Sequence, residues 1–260
     1  DILRLKRDGL APLYTGLELP LMPVLADMER EGIAIDMPAF RAFLNEVEDE
    51  LKELTEKVYA EAGGPFNIRS AQQLGELLFT KLGLPQSKKT RGGQFSTSQE
   101  ALEKLAGRHP VVDAILRYRK LEKIRSTYLE PLPRLTDAGG RLHTTFNQEA
   151  TATGRLSSSG PNLQNIPVRG PLGKRMRSCF VAREGSFLVS CDYSQIELRV
   201  LAHMSGDPAL IASFRNGEDI HSRTAALVYG IEPDAVTPDQ RRSAKTINFG
   251  LIYGMGHAVY

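Results

Sequence analysis

The sequence predicts an α+β protein, mostly helical with a few short strands. Three observations carry this reading. From residue 38 to 133, apolar residues recur at helical spacing behind residues suited to cap helices. At DAGGRLHTTFNQ, residues 137–148, the pattern changes to alternating and β-branched after a Gly-Gly turn. From Ser194 onward the helical spacing returns, with Pro and Gly at the boundaries.

The elements follow in order. LELPLMPVLADMERE, residues 17–31, spaces Leu21, Val24, Leu25 and Met28 as one face of a helix that Gly32 ends. IAID reads as a short strand. Asp36 with Pro38 then starts a helix rich in Glu and Lys that runs to about Glu61, because Pro in the first turn loses no hydrogen bond. GGPFNIRS breaks it, and Ser70 caps a helix of about ten residues. LPQSKKTRGGQFSTS, residues 84–98, is a loop with a Gly pair near its tip. Ser98 caps a short helix through Leu105, and residues 110–130 form a long helix closed by PLP. RLHTTF reads as a strand, TGRLSSSGPNLQNIPVRG as loops and short strands, and GSFLVSCD, residues 185–192, as a second strand with an apolar core. SQIELRVLAHMSG follows as a helix with Ser194 and Glu197 in capping-box spacing. DPALIASFRNG and DIHSRTAALVYG are two more helices. Thr237 and Gln240 form another capping box that fixes the start of a last helix.

The 260 residues are 41% hydrophobic and 25% charged, an ordinary globular composition. The net charge of +2 does not announce nucleic acid, but the distribution is uneven. No Asp or Glu occurs from Leu77 to Gln99, where Lys81, Lys88, Lys89 and Arg91 stand. From Arg141 to Arg199 there are eight Arg or Lys against four acids. Such patches either track a phosphate backbone or form solvated basic loops. The two cysteines, Cys179 and Cys191, lack partners at metal-site spacing and read as buried, inert thiols. No run approaches the length of a membrane span, and DILRLKRDGL lacks a signal-peptide apolar core, so the cytoplasm is expected.

Two stretches bear chemistry. In RRSAKTINFGLIYG, residues 241–254, Arg241, Lys245, Phe249 and Tyr253 follow one another every four residues. On a helix they form a band about 120° wide and nearly 18 Å long, two cations in line with two rings. The band suits a polyphosphate with a base stacked at the aromatic end. It equally suits an amphipathic helix whose rings pack inward while the cations snorkel. In DYSQIELR, residues 192–199, Asp192 at a strand's end suits a hard cation such as Mg²⁺, or a turn. Glu197 suits the capping box, with or without a second role.

These two stretches resemble motifs A and B of the family A DNA polymerases. TATGRLSSSGPNLQNIPVR, residues 151–169, resembles the family's palm segment before motif A, and GEDIHSRTA, residues 217–225, its fingers segment. The resemblance implies a right-hand polymerase fold, mostly helical with a small antiparallel palm sheet. Residues 1–16 would be the tail of an exonuclease-like domain, 17–37 the lead-in to the palm, and 38–138 the thumb. Residues 139–196 would be palm with motif A, and 197–260 partial fingers with motif B.

The resemblance also implies roles. Asp192, with the backbone carbonyl of Tyr193, would bind two Mg²⁺ ions. Arg241, Lys245 and His221 would hold the incoming triphosphate, with Phe249 and Tyr253 beside its sugar and base. Glu197 would be the gate against a ribose 2′-OH, with Ser194 and Gln195 next to it in the nucleotide site. Arg155, Asn165 and Arg169 would touch primer and template, and Lys88, Lys89 and Arg91 would form the thumb tip over the duplex. The implied partners are primer–template DNA and deoxynucleoside triphosphates, without a membrane, in a monomeric bacterial enzyme of replication and repair associated with the nucleoid. The family's motif C, a His-Asp-Glu stretch carrying the second metal-binding carboxylate, has no counterpart here. The expectation is therefore a polymerase fragment that needs a missing C-terminal part for synthesis, or a module that grips primer–template without turnover. A single-subunit RNA polymerase is disfavoured by Glu197 at the gate position.

Overall fold

The computed structural model describes residues 2–85, 93, 95–252 and 254, with the backbone alone at 251. The chain divides into two compact units, Asp1–Leu188 and Val189–Tyr260.

The first unit begins with short helices α1 (Ile2–Arg7) and α2 (Ala11–Leu13). A π-helical turn, Tyr14–Glu18, leads into α3 (Leu19–Glu31). Strand β1 (Ile33–Ile35) is followed by α4 (Met37–Ala62). The predicted cap is present: Asp36 Oδ1 accepts from the Ala39 N–H at 2.9 Å. Phe40, Phe43, Val47, Leu51, Leu54 and Val58 of α4 are buried, a stripe at three- and four-residue spacing. Helix α5 (Ala71–Gly75) is capped by Ser70 and runs on as a π-helical stretch to Lys81. Helix α6 (Gln99–Glu103) is capped by Ser98. Helix α7 (Pro110–Ile124) continues through a π-helical turn to Leu129 and packs along α4. Leu121, Ile124, Tyr128 and Leu129 close one core against the α4 stripe, while Leu74, Leu78, Leu102 and Ile115 centre a second. The helical region 38–133 is thus built as the spacing predicts.

The predicted RLHTTF strand is split. Strand β2 (Arg141–Leu142) pairs antiparallel with β1, and β3 (Thr145–Asn147) pairs antiparallel with β4 (Ser157–Ser159) in a separate sheet. Thr144, between them, is buried and bonds Ser158 Oγ at 2.6 Å and the Pro161 carbonyl at 2.7 Å, so the chain turns from one sheet to the other there. Helix α8 (Gly170–Ser178) had no expectation; Met176 and Cys179 bury its inner face in the first core. Strand β5 (Phe180–Val181) completes the order β2-β1-β5.

The predicted GSFLVSCD strand is not formed. Residues 186–192 have no regular secondary structure and no sheet pairing among the described residues, and Phe187 and Val189 are 91% and 82% exposed. A strand needs a neighbour for its N–H and C=O groups, and no described segment supplies one here. Cys191 is exposed accordingly, whereas Cys179 is buried as expected, with its thiol pKa raised by burial.

The second unit holds α9 (Ile196–Ser205), α10 (Pro208–Arg215), α11 (Ile220–Tyr229) and α12 (Pro238–Ile252). The Thr237–Gln240 box is made in both directions: the Thr237 N–H donates to Gln240 Oε1 at 2.9 Å and the Gln240 N–H to Thr237 Oγ1 at 3.3 Å. The start of α9 lies one residue beyond Ser194, the predicted cap. Gln195 is the N-cap of α9, and its left-handed φ of 53° sets the chain direction instead. Among the described residues, no helix is long and apolar enough to cross a membrane.

Candidate functional site

Helices α11 and α12 pack side by side and bring four of the predicted residues together. Asp219 starts α11: its Oδ1 accepts from the backbone N–H of His221 at 2.9 Å and of Ser222 at 3.2 Å. His221 in that first turn is buried, 3% exposed. Its ring lies 5.8 Å from the ring of Phe249, tilted by 42°. Lys245, one turn before Phe249 on α12, is exposed, with Nζ 5.9 Å from the same ring centroid. Arg241, a further turn back, donates from Nε to Asp219 Oδ2 at 2.7 Å. Two cations, a half-buried ring and a histidine therefore line one flank of the helix pair. Tyr253, the fourth member of the row, lies outside the described residues, as do Lys88, Lys89 and Arg91 of the basic loop.

The electrostatics follow from this packing. Burial lowers the His221 pKa, and the Arg241 and Lys245 charges lower it further, against the opposing pull of Asp219. His221 is therefore neutral at physiological pH. Burial pushes the Asp219 carboxyl up, but hydrogen bonds from Arg241 and from the Ser222 and His221 amides bring it down below the usual range.

Sequence reasoning missed Asp219 and the pair Thr224 and Asn248. Thr224 Oγ1 donates to Asn248 Oδ1 at 3.0 Å, and Asn248 Nδ2 lies 3.0 Å from His221 Nδ1. An amide inside a helix competes with the backbone for hydrogen bonds, so Asn248 between Ile247 and Phe249 was the available signal.

Asp192 sits in the same unit, exposed, in the irregular segment before α9 rather than at a strand's end. Tyr193 is 81% exposed. Arg199 ties the turn that follows to α10: its Nε donates to the Ser194 carbonyl at 3.0 Å and its guanidinium carbon lies 4.5 Å from the Phe214 ring centroid. Glu197 occupies the first turn of α9, half-buried, next to Gln195. No group of three His, Cys, Asp or Glu side chains forms a metal cage among the described residues. A carboxylate and a carbonyl are nonetheless hard oxygen donors, and Mg²⁺ commonly binds through one or two carboxylates with substrate phosphates and water. Asp192 and the Tyr193 carbonyl fit that chemistry.

In the first unit, Arg155 is exposed, and its carbonyl accepts from Thr151 Oγ1 at 2.5 Å. Asn165 is exposed, and its carbonyl is bonded by the Tyr128 hydroxyl, which anchors that loop to the helical core. Arg169 is the exposed N-cap residue of α8.

Comparison with known proteins gives concordant matches. Residues 37–259 match the family described as DNA polymerase family A. "DNA polymerase I, thermostable" of Thermus filiformis is 56% identical over 245 residues, 94% of this chain and 29% of that protein. DNA polymerase I of Bacillus subtilis (strain 168) is 49% identical over 245 residues, 94% of this chain and 28% of that protein. A solved structure described as the POL domain of Pol1 from M. smegmatis in complex with DNA primer-template and dNTP superposes with a TM-score of 0.88 at 39% identity, covering 97% of this chain and 45% of that one. The chain thus spans less than a third of the length of these two curated relatives.

Proposed function

The chain belongs to DNA polymerase family A, and from that premise we propose that it serves template-directed DNA synthesis, adding deoxynucleotides to a primer 3′-OH. What supports this most is the grouping of His221, Arg241, Lys245 and Phe249 along α11 and α12. Arg241 and Lys245 offset negative charge on the triphosphate as it builds. His221 donates a hydrogen bond to the same phosphates, and Phe249 and Tyr253 flank the sugar and base. Glu197 leaves no room for a ribose 2′-OH, with Ser194 and Gln195 beside it. Asp192 and the Tyr193 carbonyl would hold Mg²⁺, which would supply Lewis-acid stabilisation of the primer 3′-oxygen and of the pyrophosphate. Arg155, Asn165 and Arg169 touch primer and template, and Lys88, Lys89 and Arg91 track the duplex backbone. The residues divide into a palm lead-in at 17–37, a thumb at 38–138, palm to 196 and fingers beyond. The setting is the bacterial cytoplasm, at the nucleoid.

A duplex-binding titration and a primer-extension assay with Mg²⁺ and the four deoxynucleotides test this reading together. Binding to primer–template with a steep salt dependence is expected. Extension in the parallel assay separates synthesis from grip alone. A chain that binds neither primer–template nor a deoxynucleotide would overturn the proposal.

A further inference from the structure

The His221 ring has one partner that its proposed role does not use. A neutral imidazole carries its single proton on one nitrogen, and the group bonded to the other decides which. Here that group is Asn248. Its Nδ2 lies 3.0 Å from His221 Nδ1, and its Oδ1 accepts from Thr224 Oγ1 at 3.0 Å. With the amide so oriented, an N–H points at Nδ1. Nδ1 must then offer its lone pair, and the proton resides on Nε2. Thr224 sits one turn after His221 on α11, so the hydroxyl and the ring that bond the two ends of this amide share one helix face.

The other ring nitrogen is the useful one. Among the described residues, no buried side-chain nitrogen or oxygen lacks a hydrogen-bond partner, and the ring's bond to a side chain among them is the one from Asn248 to Nδ1. With Nδ1 taken by Asn248, Nε2 is the nitrogen left for an outside acceptor on this 3% exposed residue. A buried ring with its proton on the open nitrogen is a preset donor to an anion. The charged groups facing the ring are Asp219 on the N-terminal side of α11, and Arg241 and Lys245 on α12. The two cations and burial together keep the ring neutral, so the position of its one proton decides whether it can donate outward.

We propose that Asn248 is a positioning residue: oriented by Thr224, it holds His221 as the Nε2–H tautomer and so presents a hydrogen-bond donor to a nucleoside triphosphate. The inference rests on the triphosphate role of His221 for its purpose, but not for its geometry. Asn248 itself touches no phosphate in this scheme. Its effect passes through the ring.

The experiment reads the ring directly. Long-range ¹H–¹⁵N spectra of the ¹⁵N-histidine-labelled chain report which nitrogen of His221 is protonated. The expected wild-type result is a protonated Nε2 with an unprotonated, hydrogen-bonded Nδ1. Asn248→Asp, which offers only acceptors, is expected to move a proton onto Nδ1. Thr224→Val, nearly isosteric, is expected to mix the two tautomers while the melting curve confirms folding. A wild-type ring protonated at Nδ1, or a tautomer unmoved by both substitutions, overturns the proposal. Titration of dATP with Mg²⁺ then tests its purpose. Perturbation of Nε2 in the wild type, with affinity about three- to tenfold weaker in Thr224→Val, supports it. A ring that keeps its tautomer but does not respond to dATP overturns the triphosphate role of His221 and leaves the tautomer lock standing.

Discussion

Arg241 Nε donates to Asp219 Oδ2 at 2.7 Å, while Oδ1 of the same carboxylate receives the first N–H groups of α11. One side chain thus starts one helix and fixes a cation on the next. The folded-state pKa of Asp219 is lowered from 3.8, its bonds outweighing its burial. Such a group stabilises the fold above its unfolded pKa, and the contribution is lost as pH falls through the folded value. Asp219→Ala is expected to lower the unfolding free energy by about 1 kcal/mol at neutral pH, since the cap is lost. Asp219→Asn retains a capping oxygen and should cost less. Urea denaturation of the three proteins decides, and equal losses in both variants would refute the capping account.

Gly32 is expected to tolerate no side chain. It ends α3 at φ 59° and ψ −162°, a region open essentially to glycine. A Cβ there would lie 2.4 Å from the Leu142 carbonyl oxygen and 2.8 Å from His143 Nδ1. Relief would require β2 to move away from β1, with which it pairs. Gly32→Ala should therefore cost about 2–3 kcal/mol, read as a lower urea midpoint with an unchanged slope. A midpoint equal to that of the wild type would show that the strand gives way freely.

The local signals were legible where one element decides its own start. Asp36, Ser70, Ser98 and the Thr237–Gln240 box cap helices as their spacing predicts, because the bond closes within three residues. The signals failed where a distant partner decides. Phe187 and Val189 have the composition of a core strand, yet a strand exists only through its neighbour, and the segment is exposed. Ser194 had the right spacing for a cap, but Arg199 takes its carbonyl and Gln195 turns left-handed ahead of α9. Helix α8 was missed because GPLGKRMRS opens on Gly-Pro and carries few apolar residues. Leu172, Met176 and Cys179, at four- and three-residue spacing, were its trace. At the site, the spacing found the row Arg241, Lys245, Phe249. It could not find Asp219, Thr224 or Asn248, whose roles depend on which faces of α11 and α12 meet.

His143 gives the first unit a pH dependence of opposite sense to that of Asp219. Its Nδ1 lies 2.7 Å from the Glu29 carbonyl oxygen and its Nε2 3.2 Å from Asp137 Oδ2. Only the imidazolium can donate to both. The Glu29 carbonyl and then Asp137 raise the His143 pKa above 6.5, against slight burial and the Arg141 charge. A raised folded pKa contributes stability in full below the unfolded value and loses it as pH rises through the folded one. The unfolding midpoint should therefore fall as pH rises above the ordinary histidine range, and His143→Gln should flatten that slope. An unchanged slope in the variant would assign the dependence to another group.

Lys245 and Glu197 separate affinity for the triphosphate from discrimination of its sugar. Lys245 is exposed, with its ammonium 5.9 Å from the Phe249 ring centroid, so its removal opens no cavity in the core. Under the proposed function its charge is spent on phosphate. A charge-assisted hydrogen bond is worth about 1.5–3 kcal/mol, so Lys245→Ala should weaken dATP binding about tenfold or more while leaving the melting temperature and the affinity for primer–template unchanged. Glu197→Ala should behave differently, because its carboxylate sits in the first turn of α9, not in the cation row. Its dATP affinity should change little, while the ratio of ATP to dATP affinity rises toward one as the 2′-OH finds room. Calorimetric titration of both nucleotides against both variants resolves the two effects. Full dATP affinity in Lys245→Ala, or an unaltered sugar ratio in Glu197→Ala, would remove the corresponding residue from the nucleotide site.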